Sequence, residues 1–176
     1  MLAFLLIVGL SFYVMAGSLS GMVGDYLFEQ RIRSDRLGLE KLASRVAPLY
    51  KSSDVQALRE QLIASGGEMG GRILLLDQNG KVQLDSYGEL YGARLEYPEV
   101  ANVLVKGQSA DYGVHELESG AALDTSRLLF VRRSNVSWVG YCAAGVVSQA
   151  EIIGVLLLVS PVQEMMQNLY QLQDQM

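Results

Sequence analysis

The first 24 residues contain no charged side chain, and Asp25 is the first to appear. Within that stretch Leu2 to Ala16 is almost continuously apolar. A helix rises about 1.5 Å per residue and the hydrocarbon core of a bilayer is about 30 Å thick, so about 20 residues span it. The stretch is long enough if residues 17–24 form its exit side. A cleaved signal peptide would start with basic residues, and none is present, although Val14-Met15-Ala16 passes as a cleavage site. A buried core helix would show a polar face, and this run has none. We therefore expect residues 1–24 to be a transmembrane helix whose basic flank lies upstream. A secreted binding or structural protein with a cleaved signal peptide is the alternative.

Half of the 176 residues are hydrophobic and 19% are charged, which is too apolar for a disordered chain and enough for one modest core. The net charge of −5 argues against a nucleic-acid partner, which needs a basic face. One cysteine, Cys142, and one histidine, His115, leave no internal disulfide framework and no His- or Cys-rich metal site. Gly66-Gly67 and Gly70-Gly71 lack the spacing of a phosphate-binding loop, so no cofactor is expected.

From Asp25 to Tyr50 the pattern is helical. Phe28, Ile32, Asp35, Leu39, Leu42, Val46 and Leu49 follow alternating steps of four and three, a heptad seam with one polar break at Asp35. Either the seam pairs with a second copy in a parallel homodimer, or the helix is amphipathic and covers a sheet. Pro48 should end or kink it. A second helix is predicted over 53–63, with Ser53 and Gln56 as a capping box and Ser65-Gly66-Gly67 as its stop. Residues 72–77 and 81–85 read as a hairpin around Asn79-Gly80. A short helix over 98–105 and strands over 112–117, 127–133, 139–147 and 152–159 follow. Ser160-Pro161 reads as an N-cap and first helical residue of a terminal helix. Successive strands without helices between them imply an antiparallel sheet, with the helices gathered at one side, in an α+β fold.

No nucleophilic triad can be assembled, and His115 reads as a surface or edge-strand residue. The one constellation that suits a ligand is a set of tyrosines with arginines. Tyr87, Tyr91, Tyr97, Tyr112 and Tyr141 supply amphipathic walls and Arg72, Arg94, Arg132 and Arg133 supply cationic donors, a combination that fits a small carboxylate. Segment 86–97 is irregular and aromatic, so it is expected to face the ligand.

The apolar start, the long helix, the run Arg72-Ile-Leu-Leu-Leu-Asp-Gln-Asn-Gly-Lys-Val82 and the run Ile152-Ile-Gly-Val-Leu-Leu-Leu-Val-Ser-Pro-Val162 together resemble the extracytoplasmic sensor region of bacterial membrane histidine kinases. The resemblance covers nearly the whole chain. It implies a PAS-like, single-Cache sensor domain over 25–160, outside the cytoplasm of a membrane-anchored protein, and a signalling helix over 161–176 that leads toward a second membrane segment. It also implies a segment without chemistry of its own, which senses a small ligand or a protein partner and moves a helix. His115-Glu116-Leu117 imitates the phospho-acceptor pair of such kinases, but Glu118-Ser119-Gly120 follows where Thr-Pro belongs. Any catalytic part would lie beyond Met176, and a chemoreceptor or cyclase output fits the same layout.

Overall fold

A computed structural model describes residues 2–118 and 136–162; side chains are described throughout these except at 2–6, 9, 12–22, 25, 117, 118, 136 and 137. The chain divides into one unit of residues 1–31 with 163–176 and another of residues 32–162. Helix α1 (Leu2–Ser52) supplies the described part of the first unit. There Ser11 Oγ donates to the Ile7 carbonyl at 2.8 Å, which satisfies the hydroxyl within the helix itself. Among the described residues no helix is long and apolar enough to cross a membrane. Most side chains of the expected transmembrane stretch, 1–24, lie outside that set.

The second unit is built on one antiparallel sheet. Its strands are β1 (Arg72–Leu76), β2 (Val82–Asp85), β3 (Ala110–Glu118), β4 (Val136–Ser148) and β5 (Glu151–Pro161), in the order β2-β1-β5-β4-β3. The central strand explains its own composition. Val155 to Val159 and Ile73 to Leu76 are buried at every position, because both faces of the sheet are covered and alternation with polar residues has no place. Gln149 and Ala150, both at positive φ, turn β4 into β5 in two residues.

On the first face, Leu39, Leu42, Ala43, Val46 and Ala47 of α1 and Leu58 and Leu62 of α2 (Val55–Met69) pack against Ile73, Leu75, Cys142, Ala144, Leu156 and Leu158. Each leucine, isoleucine and valine among them contributes roughly 1.5–3 kcal/mol by leaving water. The second face is covered by Val100 and Val103 of α3 (Pro98–Lys106), together with Leu90, Ala93, Leu95 and Tyr97 of the preceding segment. The helices thus lie on both faces and not at one side, since a sheet apolar on both faces must be covered twice.

This arrangement answers the seam. Leu39, Leu42 and Val46 are sealed against the chain's own sheet and Leu49 packs beside them, while Phe28 and Ile32 are half-buried. Over residues 39–49 the helix is therefore the amphipathic cover of a sheet. Pro48 does not break it, because Pro48 is on the exposed side, where the carbonyl it leaves unpaired meets water.

Other local readings are corrected in the same way. Asp54, not Ser53, caps α2, accepting from the Ala57 N–H at 3.1 Å, while Ser53 sits at φ 57° in the link between helices. The helix runs past Ser65-Gly66-Gly67 to Met69 and stops at left-handed Gly70. Ser160 and Pro161 end β5 instead of opening a helix. They pair with Gly140 and Val139, and Ser160 is buried. The expected strand 127–133 and the helix after Val162 lie outside the described residues.

Candidate functional site

Two polar clusters interrupt the apolar second face. The first fastens the covering segment. Arg72 opens β1 and is 1% exposed. Its Nε donates to Asp85 Oδ1 at 2.9 Å and its Nη2 donates to Asp85 Oδ2, a bidentate buried pair. Asp85 also accepts the backbone N–H groups of Tyr87, Glu89 and Leu90 at 2.8–3.0 Å, so one carboxylate shapes the turn that begins segment 86–97. Burial works to raise the Asp85 pKa, but Arg72 and these three N–H donors outweigh it and hold the carboxyl below its ordinary value. Glu89 Oε2 accepts from the third donor nitrogen of Arg72, Nη1, at 3.4 Å, and the Tyr87 ring lies 5.2 Å from the guanidinium carbon. The Arg72 charge is fully engaged inside the fold.

The second cluster joins α3 to the sheet. Tyr97 precedes α3, Pro98 opens it and Glu99 falls in its first turn, where a carboxylate is favoured by the helix dipole. Glu99 Oε1 lies 2.8 Å from His115 Nε2 across to β3, and the Glu99 side chain is only 5% exposed. The Tyr97 and Tyr141 rings pack with centroids 4.5 Å apart, and the His115 ring meets Tyr141 edge-on at 5.1 Å. Burial, the neighbouring tyrosine and the Glu99 charge all push the Tyr141 hydroxyl up from its ordinary pKa. Tyr97 is raised mainly by burial. Glu99 Oε2 is sealed from solvent with no hydrogen-bond partner among the described residues, and the Tyr141 hydroxyl is sealed beside that of Tyr97.

Gly113 makes this geometry possible. A Cβ there would fall on Glu99 Oε1, well inside contact distance, and 2.8 Å from Glu99 Cδ. Gly113→Ala should therefore drive the carboxylate off His115 and lower stability by about 1–3 kcal/mol in urea unfolding. Glu99→Ala in the same background should remove part of that loss, since the two sites share one space.

The sequence-predicted ligand residues do not converge. Tyr97 and Tyr141 belong to the second cluster, and Arg72 belongs to the first. Tyr112 points to the opposite face, against the core under α1. Tyr87 lines a separate cavity of about 280 Å³ with Ile63, Gly66, Gly67, Gly70, Gly71 and Ser86. Tyr91 is 75% exposed. Arg94 is 70% exposed and pairs with Glu96 at 3.3 Å. Arg132 and Arg133 lie outside the described residues. Among the described residues no group of His, Cys, Asp and Glu is placed to hold a metal ion. Cys142 is buried on the first face, where burial and then the Asp35 charge push its thiol up to about 12, too high for a reactive thiolate.

Sequence reasoning missed Glu99 and undervalued His115. An acidic residue after Pro98 reads as an ordinary helix start, and His115 reads as an edge residue. The signal that links them is Gly113, a glycine inside a strand and two residues before the histidine, which marks a close approach.

No protein-family profile and no curated protein matches the sequence. Solved structures do match in shape. The sensor domain of the V. cholerae histidine kinase DctB superposes with a TM-score of 0.60 at 13% identity, over 92% of this chain and 59% of that one. The sensory domain of the Campylobacter jejuni chemoreceptor Tlp3 (CcmL) does so with a TM-score of 0.54 at 16% identity, over 90% of this chain and 65% of that one. This is the PAS-like Cache sensor fold. The chain spans less than two thirds of either structure. Within the sensor fold, the second cluster occupies the sheet face that α3 and segment 86–97 enclose.

Proposed function

We propose that this chain is the signal-sensing part of a membrane receptor, and that it binds a small ligand at Tyr97, Glu99, His115 and Tyr141. The observation that carries this reading is a sealed carboxylate oxygen, Glu99 Oε2, without a partner in a mostly apolar layer beside the Tyr97 and Tyr141 hydroxyls. Such an atom costs about 1–3 kcal/mol when nothing pairs with it. A domain selected only for stability would place an apolar side chain there, so the cost is consistent with a ligand that supplies the missing partner.

In this reading residues 1–24 anchor the chain, 25–160 sense outside the cytoplasm, and 161–176 lead toward a second membrane segment. Ligand binding that favours one arrangement of the covering segment over another displaces the terminal helix by about an ångström or two. The segment binds and relays, and a histidine kinase catalytic part follows it. The fold is shared by a chemoreceptor sensory domain, so a chemoreceptor is the second reading of the output. The coding sequence after Met176 decides between them. Homodimerisation remains part of the proposal, through exposed α1 residues such as Leu37 in place of the sheet-covered Leu39, Leu42 and Val46.

A thermal-shift screen of small organic acids, amines and amides against the full chain tests the binding step. A compound at 100 times its Kd adds about 2.7 kcal/mol, a shift of several degrees for a domain of this size. The expected hit loses its shift in Tyr141→Phe or Tyr97→Leu. A hit indifferent to both substitutions, or no hit at all, would sink this site.

A further inference from the structure

We propose that the cavity between the end of α2 and the start of segment 86–97 is a second binding site, and that it takes a neutral, planar ring carrying a hydrogen-bond acceptor. It is separate from the ligand site proposed on the second face, and that site stands whether or not this one does.

The cavity measures about 280 Å³. Drug-sized ligands fill about 300–1,000 Å³, so this space suits a single ring with a short substituent. One wall is a single face of α2 and its cap: Ile63, Gly66, Gly67 and Gly70 fall at i, i+3, i+4 and i+7. Gly71 ahead of β1, and Ser86 and Tyr87 just after β2, complete the lining.

Glycine loses more chain entropy on folding than any other residue, so each of the four needs a reason. Three have one within the fold. A Cβ on Gly66 would stand 2.9 Å from the Gly71 carbonyl oxygen. A Cβ on Gly71 would stand 2.7 Å from Leu158 Cδ1 and 2.7 Å from the Val159 carbonyl oxygen. Gly70 closes the helix in the left-handed conformation. Gly67 differs, because a Cβ there would meet nothing within 4 Å. It lies inside α2, where alanine is preferred, yet the fold gives it no reason to lack a side chain. It also lies on the cavity wall, where bare backbone allows a ligand to approach closely and a side chain would occupy the ligand's place.

The chemistry of the walls selects the ligand. Ile63 and Tyr87 stay exposed as apolar surface, and no charged side chain lines the cavity. An anion would face the C-terminal end of α2, where the helix dipole is negative. A cation would find no carboxylate in the wall. The Tyr87 ring and the bare glycine backbone offer low, flat surfaces, on which a planar ring makes more contact than a puckered one. Ser86 supplies the polar end. Its Oγ accepts the Ile73 N–H at 3.1 Å, which leaves the hydroxyl proton to donate to an acceptor on the ring. Ser86 and Tyr87 also begin segment 86–97, so an occupied cavity braces the segment that covers the second face.

The test titrates the full chain, in detergent micelles if its apolar start demands it, and follows the backbone amide NMR signals of Gly67 and Gly70. The probes are benzamide, benzoate, benzylammonium and cyclohexanecarboxamide. Benzamide should shift both signals saturably. Benzoate and benzylammonium keep the ring and add a charge, and cyclohexanecarboxamide keeps the amide and loses planarity. Each should bind about tenfold more weakly or worse. Gly67→Leu should hold or raise the unfolding midpoint, since leucine is the better helix former and meets open space, and should weaken benzamide about tenfold or more at the Gly70 signal. Tyr87→Ser should weaken benzamide severalfold. Tyr91→Ser, which removes an exposed ring of the same segment outside the cavity, should not.

Signals that do not move saturably with benzamide, or a benzamide response that survives Gly67→Leu, overturn the site. A charged or puckered probe that binds as tightly as benzamide overturns the ligand class. If Gly67→Leu lowers the unfolding midpoint, the fold itself requires this glycine, and a benzamide response unchanged in Tyr87→Ser then overturns the site.

Discussion

Asp85→Ala should destabilise the folded domain by about 3–5 kcal/mol, because it leaves the Arg72 guanidinium buried without its counter-charge. The side chains of the pair are 1% and 0% exposed, so solvent cannot take over the role of the lost partner. The backbone N–H groups of Tyr87, Glu89 and Leu90 lose their acceptor in the same step. Urea unfolding followed by circular dichroism measures the loss. Arg72→Met combined with Asp85→Leu removes both charges and should recover part of it. Recovery stays incomplete because the three N–H donors remain unserved. Asp85→Ala within 1 kcal/mol of the parent would show that the pair does not hold the segment.

The same carboxylate sets a pH dependence with a definite sign. Its folded pKa lies below the ordinary 3.8. The stabilisation is therefore fully present above the unfolded value and is lost as pH falls through the folded one. The parent should lose stability on acidification below about pH 4, and Asp85→Ala should lose less over that interval.

Leu42→Ala should cost about 2–5 kcal/mol, the penalty for a cavity in a packed core. The expectation follows from where the side chain lies: Leu42 is 1% exposed between α1 and the sheet of its own chain. A seam residue of a dimer would behave differently, since its loss would weaken association and make the unfolding midpoint depend on protein concentration. Here the midpoint should fall by the same amount at low and high concentration. A change that fades on dilution would return Leu42 to an interface between copies.

Much of the architecture was legible in the residues because it follows from local rules. The Leu-rich runs at 73–76 and 155–159 exceed any alternating pattern and read as buried strands, although the cover on both faces emerged only from the fold. Asp77-Gln78-Asn79-Gly80 makes the turn its composition calls for, with Gly80 at φ 74° and Asp77 Oδ1 accepting from the N–H groups of Asn79 and Lys81. Pro98 opens a helix and Gly107 closes it in the left-handed conformation. Boundaries shifted where a tertiary partner outweighed a local preference. Ser160-Pro161 has the chemistry of a helix start, yet β4 lies alongside and takes both residues into the sheet.

The candidate site was legible only in fragments. Tyrosines and arginines were grouped by nearness in sequence, but strand alternation sends Tyr112 and Tyr141 to opposite faces, and Asp85 claims Arg72 from 13 residues away. By itself the sequence determined the buried strands, the antiparallel sheet, the helical stretch that covers it and the acidic charge balance, because periodicity, turn chemistry and charge act over a few neighbouring residues. Only the tertiary structure decided which face of α1 meets the sheet, that Arg72 is neutralised within the fold, and that Glu99 reaches His115 over the gap left by Gly113. Those outcomes depend on long-range register and on space too small for a Cβ, and no local pattern encodes either.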